Sequence, residues 1–158
     1  MSSDAHEVHV LLQDLDGARP QWWCERSGAG PPRTVLELHV PPARGAVWIA
    51  RHWASDRARE SGVPEDSLPD IELLTSELAA NAVVHGAGGE VEVRFWYDSG
   101  CVRVEVSDTS AGRPRVRHPN PETPGGQGLR LVSMLATEWG HGRRSGGTGN
   151  TVWFTISI

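Results

Sequence analysis

The sequence predicts an α+β protein, a two-layer α/β sandwich with helices on one face of a mixed or antiparallel sheet. Two observations carry this. Residues 90–98 (EVEVRFWYD) and 101–108 (CVRVEVSD) alternate apolar and polar side chains strictly and are joined by Ser99-Gly100, which reads as an antiparallel hairpin. Two segments upstream, 46–62 and 66–85, place apolar residues at helical spacing instead. Helices that come together in sequence and then meet paired strands segregate into one layer against a sheet.

The elements follow in chain order. Residues 1–33 differ in composition from the rest: HVLLQDL reads as a short strand or a helical turn, and ERSGAGPP is a loop. This stretch is expected to be a partly ordered N-terminal extension before a domain spanning 34–158. TVLELHVP (34–41) alternates and reads as a strand. AVWIARHWASDRARESG (46–62) puts Val47, Ala50, Ala54 and Ala58 on one helical face and ends at Gly62. The helix over 66–85 has Pro69 near its first turn, where a missing N–H costs nothing. After the hairpin, residues 109–126 are too rich in Pro and Gly for regular structure and too long for a plain connection. QGLRLVSMLATEWG (127–140) reads as a short helix and GNTVWFTISI (149–158) as a closing strand. There are no internal repeats.

The totals bound the function. A chain of 158 residues is one domain's worth, with room for a sizeable core. No stretch approaches the roughly 20 apolar residues of a membrane span, and no charged start precedes an apolar run, so neither a membrane nor a secretory signal is expected. Cys24 and Cys101 fit no metal or redox spacing. The reduced cytoplasm of a bacterium is the expected compartment. A net charge of −5 argues against nonspecific nucleic-acid binding. Lysine is absent, all 15 basic residues being arginine, so a phosphate-binding loop that needs Gly-Lys-Ser/Thr is excluded.

The helix over 66–85 raises a chemical question. Glu77, Asn81 and His85 recur at spacing four among mostly apolar neighbours. At about 100° per residue from Ile71, Leu74, Leu78 and Ala82 lie within about 60° of it and form the sheet-facing stripe. Leu73, Ala80 and Val84 fall nearly opposite, and Glu77 and Asn81 lie between the two apolar groups. The wet side is expected around Glu72, Ser76 and Ala79. A carboxylate and an amide so placed border a cleft, or else form an ordinary helix edge. His85 also fits a plain helix end.

Three further stretches carry chemistry. In VEVSDTSAG, Asp108 ends an apolar strand shortly before Gly112; a carboxylate there can accept from an exocyclic amine, or it can simply form a turn. In PGGQGLRLV, Gly125, Gly126 and Gly128 stand just before a helix, where free N–H groups and the positive dipole end suit phosphate. In GGTGNTVWF, Thr151 opens the last strand, as a phosphate-side hydroxyl or as a β-favouring residue.

In order, SELAANAVVHG, VSDTSAG, GGQGLRLV and GNTVWF resemble the N box, the two glycine boxes and the terminal threonine-bearing strand of the Bergerat ATP-binding fold. That fold is shared by gyrase, histidine kinases and mismatch-repair ATPases, the histidine-kinase-like superfamily. The resemblance covers about residues 34 to 158, and four motifs in order are specific jointly. Within the superfamily, the short single domain with a compact lid is most similar to the anti-sigma-factor serine/threonine kinases. No phosphoacceptor-histidine helix hairpin is read upstream and no transducer domain downstream.

The resemblance implies ATP and Mg²⁺ as cofactors. It implies Glu77 as general base or orienter of the attacking hydroxyl, and Asn81 as the Mg²⁺ ligand. It implies an ATP-binding set of Asn81, His85, Asp108, Gly112, Gly126, Gly128, Leu129 and Thr151. In that set Asp108 accepts from the adenine amino group and Gly112 lets the backbone pass the base. Residues 113–127 would be a lid, with Gly126 and Gly128 laying amides on the phosphates. Thr151 would support the adenine or phosphate side. One departure is Ser110, where the first glycine box has its middle glycine. The implied partners are a small anti-anti-sigma (STAS-type) protein, as phosphoacceptor, and a sigma factor, with a homodimer left open and no direct nucleic acid or membrane contact. Two other functions stay open: a non-catalytic ATP-sensing module, and a detached histidine-kinase catalytic domain.

Overall fold

The structure is a computed structural model and describes residues 6–11, 34–86, 88–98, 100–108, 126–144 and 148–158. Of the expected lid over 113–127, residues 113–125 lie outside the described residues, as do Gly112, Ser110 and Cys24, while 126 and 127 belong to the helix that follows. Six antiparallel strands form one sheet in the order β1-β2-β3-β4-β6-β5. They are β1 (His6–Leu11), β2 (Thr34–Val40), β3 (Val91–Asp98), β4 (Cys101–Asp108), β5 (Glu138–Arg143) and β6 (Asn150–Ser157). The helices are α1 (Arg44–Glu60), α2 (Leu68–His85) and α3 (Gly126–Leu135), with a 3-10 turn at Glu65–Ser67 leading into α2. Among the described residues no helix is long and apolar enough to cross a membrane.

The expected hairpin is present, β3 pairing with β4 from Val91↔Asp108 to Asp98↔Cys101, with Gly100 at φ +76° in the turn. The register fixes the faces. Leu38, Val93, Val106 and Val152 stand in one cross-strand row, and Leu36, Phe95, Val104 and Phe154 in the next. All pack in or against the core. The helices cover this face. α1 buries Ala46, Ala50, Ala54 and Ala58, a stripe of one small residue per turn that lets α2 approach closely. Val47 sits at its margin.

Three expectations are revised. First, residues 6–11 are a strand paired with β2 along its whole length, so this part of the extension belongs to the sheet. Second, the helix expected over 127–140 ends at Leu135. Residues 138–143 instead form β5, whose ladder with β6 is favoured over further helical turns through Gly140 and Gly142. Third, the side of α2 around Glu72, Ser76 and Ala79 is not the wet side. Ala79 is fully buried, and Ser55 of α1 donates to Glu72 at 2.8 Å. The exposed side of α2 carries Leu73 and Val84 instead.

The other sheet face is polar and yet largely buried. Glu92, Arg103, Glu105, Ser107 and Thr155 are all buried there. Arg103 stacks its guanidinium 3.8 Å from the Trp153 ring centre and 5.3 Å from that of Trp96, and donates to Glu105 at 3.0 Å. Such charges are tolerated inside only when paired in this way. Burial still pushes the Glu105 carboxyl above its usual range, against the pull of Arg103.

Candidate functional site

The candidate site lies on the helix-covered face, where the C-terminal end of α2 passes the end of β4. Asp108 is the last residue of β4, and by alternation its side chain stands on the same face as Val102, Val104 and Val106. It is buried. Two glycines pass against it. A Cβ on Gly86, the residue that ends α2, would meet the Ala82 carbonyl oxygen at 2.4 Å and the Asp108 Cβ at 3.3 Å. A Cβ on Gly149 would lie 1.9 Å from the Asp108 carbonyl oxygen, and Gly149 has φ +114°. Only glycine allows the backbone at 149 so close to the Asp108 backbone, and Gly86 stands against the Asp108 side chain.

Glu77 and Asn81 stand one turn apart on α2, both partly exposed, between the buried stripe and the exposed Leu73–Val84 side. This is the position between the two apolar groups that the helical geometry predicts. Neither has a hydrogen-bond or ion-pair partner among the described residues, and both are available to a ligand. His85 closes the helix and is exposed, as a plain helix end would be. Gly126 and Gly128 lie in the first turn of α3 and not before it, so the chain reaches the helix N-terminus at Gly126 itself. Leu129 is partly buried against the core.

Thr151 is placed differently from expectation. It pairs with Ser107, and their hydroxyls lie 2.6 Å apart on the sheet face turned away from the helices. The reason is the two-residue period of a strand: with Val152 and Phe154 in the core, Thr151 points outward. The same alternation puts Asn150 on the face of Asp108, and the register that ends at Ser107↔Thr151 carries it to the position opposite Asp108 at the start of β6. Asn150, Gly86 and Gly149 are therefore site residues that motif reading missed; strand parity was the available signal for Asn150.

These groups fit a magnesium–nucleotide ligand. A buried carboxylate at a strand end can accept from an exocyclic amine. An amide oxygen with a carboxylate one turn away suits a hard cation that keeps several waters and takes its other ligands from phosphate. The N-terminal turn of α3, with Gly126 and Gly128 in it, suits phosphate. Among the described residues, a cluster with metal-like spacing is found elsewhere, at Glu37, His39 and Glu92 on the opposite face. It is filled by arginine. Arg94 Nε donates to Glu37 Oε2 at 2.9 Å and stands 3.0 Å from Glu92 Oε1. Arg144 Nη2 donates to Glu92 Oε2 at 2.5 Å. His39 bridges Glu37 and Glu90, the latter at 2.7 Å. Burial alone would lower the His39 pKa, but the hydrogen bonds to Glu90 and Glu37 and the nearby carboxylates outweigh it and hold it above its ordinary value. Two guanidiniums against these carboxylates leave a metal cation no electrostatic reason to enter.

With this geometry in place, the comparisons with known proteins can be set beside it. The histidine kinase-like ATPase domain family matches residues 40–156. No curated protein matches the chain. Among solved structures, the chain is similar to the histidine kinase domain of the blue-light activated histidine kinase from Erythrobacter litoralis EL346, at 29% identity and a TM-score of 0.49. The similarity covers 75% of this chain and 62% of that one, less than two thirds of its length.

Proposed function

Since this chain belongs to the histidine kinase-like ATPase domain family, we propose that it binds Mg·ATP between α2 and the end of β4 and phosphorylates a serine or threonine. The acceptor in this reading is a small anti-anti-sigma protein, and the same chain also binds a sigma factor. The observation that carries the nucleotide site is Asp108: a buried carboxylate with the backbone of Gly86 and Gly149 packed against its residue, on the sheet face that α2 covers.

Each residue then has a task. Asp108 accepts a hydrogen bond from the adenine amino group and excludes a base that offers a carbonyl there. The amides at the start of α3 bind phosphate oxygens. Asn81 offers its amide oxygen to the metal, whose chemistry is to neutralise the charge that gathers on the phosphate oxygens. Glu77 orients the acceptor hydroxyl and takes its proton as the oxygen–phosphorus bond forms. The bond from the γ-phosphorus to its bridging oxygen breaks, and ADP carries away the electron pair. Phosphoryl transfer asks for this kind of positioning more than for covalent help.

Support for a hydroxyl acceptor comes from the resemblance of the short single domain to the anti-sigma-factor kinases. The test is incubation with labelled ATP and the small protein that co-purifies with the chain, on parent and Glu77→Gln. An acid-stable, alkali-labile product is expected, formed about 10²–10⁴-fold more slowly by the variant at little-changed ATP affinity. An acid-labile product would make the acceptor a histidine. Transfer by the variant within a few-fold of the parent would remove Glu77 from the chemistry.

A further inference from the structure

We propose that the Arg144–Glu92 ion pair, on the sheet face away from the helices, is a positioning strut that holds the backbone bond between Arg144 and Gly149, so that Gly149 stays seated against Asp108. The inference rests on the reading of Asp108 as the adenine acceptor, and it assigns the base specificity of that site partly to a residue on the opposite side of the sheet.

The route can be followed atom by atom. Glu92, on β3, is 1% exposed, and it stands beside Ser107, the neighbour of Asp108 on β4. Its Oε2 accepts from Arg144 Nη2 at 2.5 Å. Its Oε1 accepts no hydrogen bond: Arg94 Nε is 3.0 Å away, but its N–H is directed to Glu37. Arg144 is therefore the side chain that hydrogen-bonds this buried carboxylate among the described residues. A buried charge deprived of its hydrogen-bonding partner is strongly disfavoured, so the pair pins Arg144 in place. The backbone of Arg144 is fixed as well, its N–H donating to the Gly149 carbonyl oxygen at 3.0 Å and closing the turn between β5 and β6. Gly149 in turn is packed on the Asp108 backbone too closely for any side chain. To reach Glu92, Arg144 lies across the row Gly142, Thr151, Ser107, Glu92, which runs directly beside the position of Asp108. The Ser107–Thr151 hydroxyl pair sits in that same row. The strut thus ties an edge hairpin to the middle of the sheet beneath the candidate pocket.

The experiment uses the full chain as parent, Arg144→Ala, Arg144→Lys and Glu92→Gln, in two arms. In the first, amide hydrogen exchange is read without nucleotide. Arg144→Ala is expected to speed exchange of the residue 144 amide, the donor to the Gly149 carbonyl oxygen, at least tenfold while leaving Val104 unchanged. Arg144→Lys, which keeps a cation within reach of Glu92, is expected to recover most of that protection. In the second arm, ADP and GDP are titrated. Arg144→Ala is expected to lower the ADP-over-GDP preference about tenfold, whereas a merely destabilising change would lower the folded fraction and leave the preference alone. Glu92→Gln keeps the shape and removes the charge, and is expected to behave like Arg144→Ala; it is the variant to read if Arg144→Ala does not fold. Unchanged exchange of the residue 144 amide in both variants would overturn the strut. Unchanged preference in variants whose turn has loosened would overturn its link to specificity. A parent that binds no adenine nucleotide would overturn the adenine reading itself, and the exchange arm would still decide whether Arg144 holds the turn.

Discussion

Gly149→Ala is the sharpest structural perturbation of the candidate site. The new Cβ would lie 1.9 Å from the Asp108 carbonyl oxygen and 3.3 Å from its Oδ1. The first distance is more than about 1 Å inside any tolerable contact. The obstacle is backbone, so no rotamer change relieves it. Overpacking of this kind costs about 1–3 kcal/mol. The residue also has φ +114°, which adds about 1–3 kcal/mol for a side chain. The sum, about 2–6 kcal/mol, is a large part of the 5–15 kcal/mol that stabilises a typical domain. At about 2 kcal/mol per molar urea, the unfolding midpoint should fall by about 1–3 M. Gly142→Ala is the internal control: it lies one turn of the hairpin away, with nothing within 4 Å of its added Cβ, and should stay within about 0.5 kcal/mol of the parent. Urea melts of both, read by tryptophan fluorescence, make the comparison. Should Gly149→Ala melt within about 0.5 kcal/mol of the parent, the close seating of this turn on Asp108 would be wrong.

Two more outcomes follow from the site and its far side. Asn81→Ala should remove most of the Mg²⁺ dependence of ATP binding, read by calorimetry with and without the metal; unchanged Mg·ATP affinity would take Asn81 out of the metal role. His39 gives a pH signature. Its folded-state pKa is raised above the ordinary value of about 6.5, so its stabilising effect is full below that value and is lost as pH rises through the folded pKa. The stability difference between parent and His39→Gln should therefore shrink as pH rises above about 6.5, and a difference that stays flat from about pH 5 to 9 would contradict the bridging of His39 by Glu37 and Glu90.

The parts of the fold that were legible were those with a clean period. The β3–β4 hairpin shows strict alternation and α2 shows a sheet-facing stripe, and both stand where the sequence puts them. β5 was not legible, because EWGHGR has two glycines and no apolar alternation; its strand exists through pairing with β6, a nonlocal ladder that local pattern cannot display. Gly140 is needed there because a Cβ would come within 2.7 Å of the Trp153 ring, a contact fixed by a residue on another strand. Within the site, Glu77, Asn81 and Asp108 could be picked out by chemistry and placed by period. Thr151 was picked by its hydroxyl, and parity alone would have moved attention to Asn150. Gly86 and Gly149 carry no local mark of their closeness to Asp108. The buried charges at Glu92, Arg103 and Glu105 read as the solvated face of two amphipathic strands, since what covers a strand's polar side is not written in the strand.

The central claim is that Asp108 recognises adenine, and nucleotide titration tests it most directly. ATP and GTP are titrated by calorimetry, with Mg²⁺ present, into the parent and into Asp108→Asn. The parent should bind ATP at a single site and reject GTP. The variant, whose amide can mispair where the carboxylate accepts, should lose about 1–3 kcal/mol, or about 5- to 150-fold in ATP affinity. A variant that binds ATP as tightly as the parent and still rejects GTP would show that Asp108 is not the adenine acceptor.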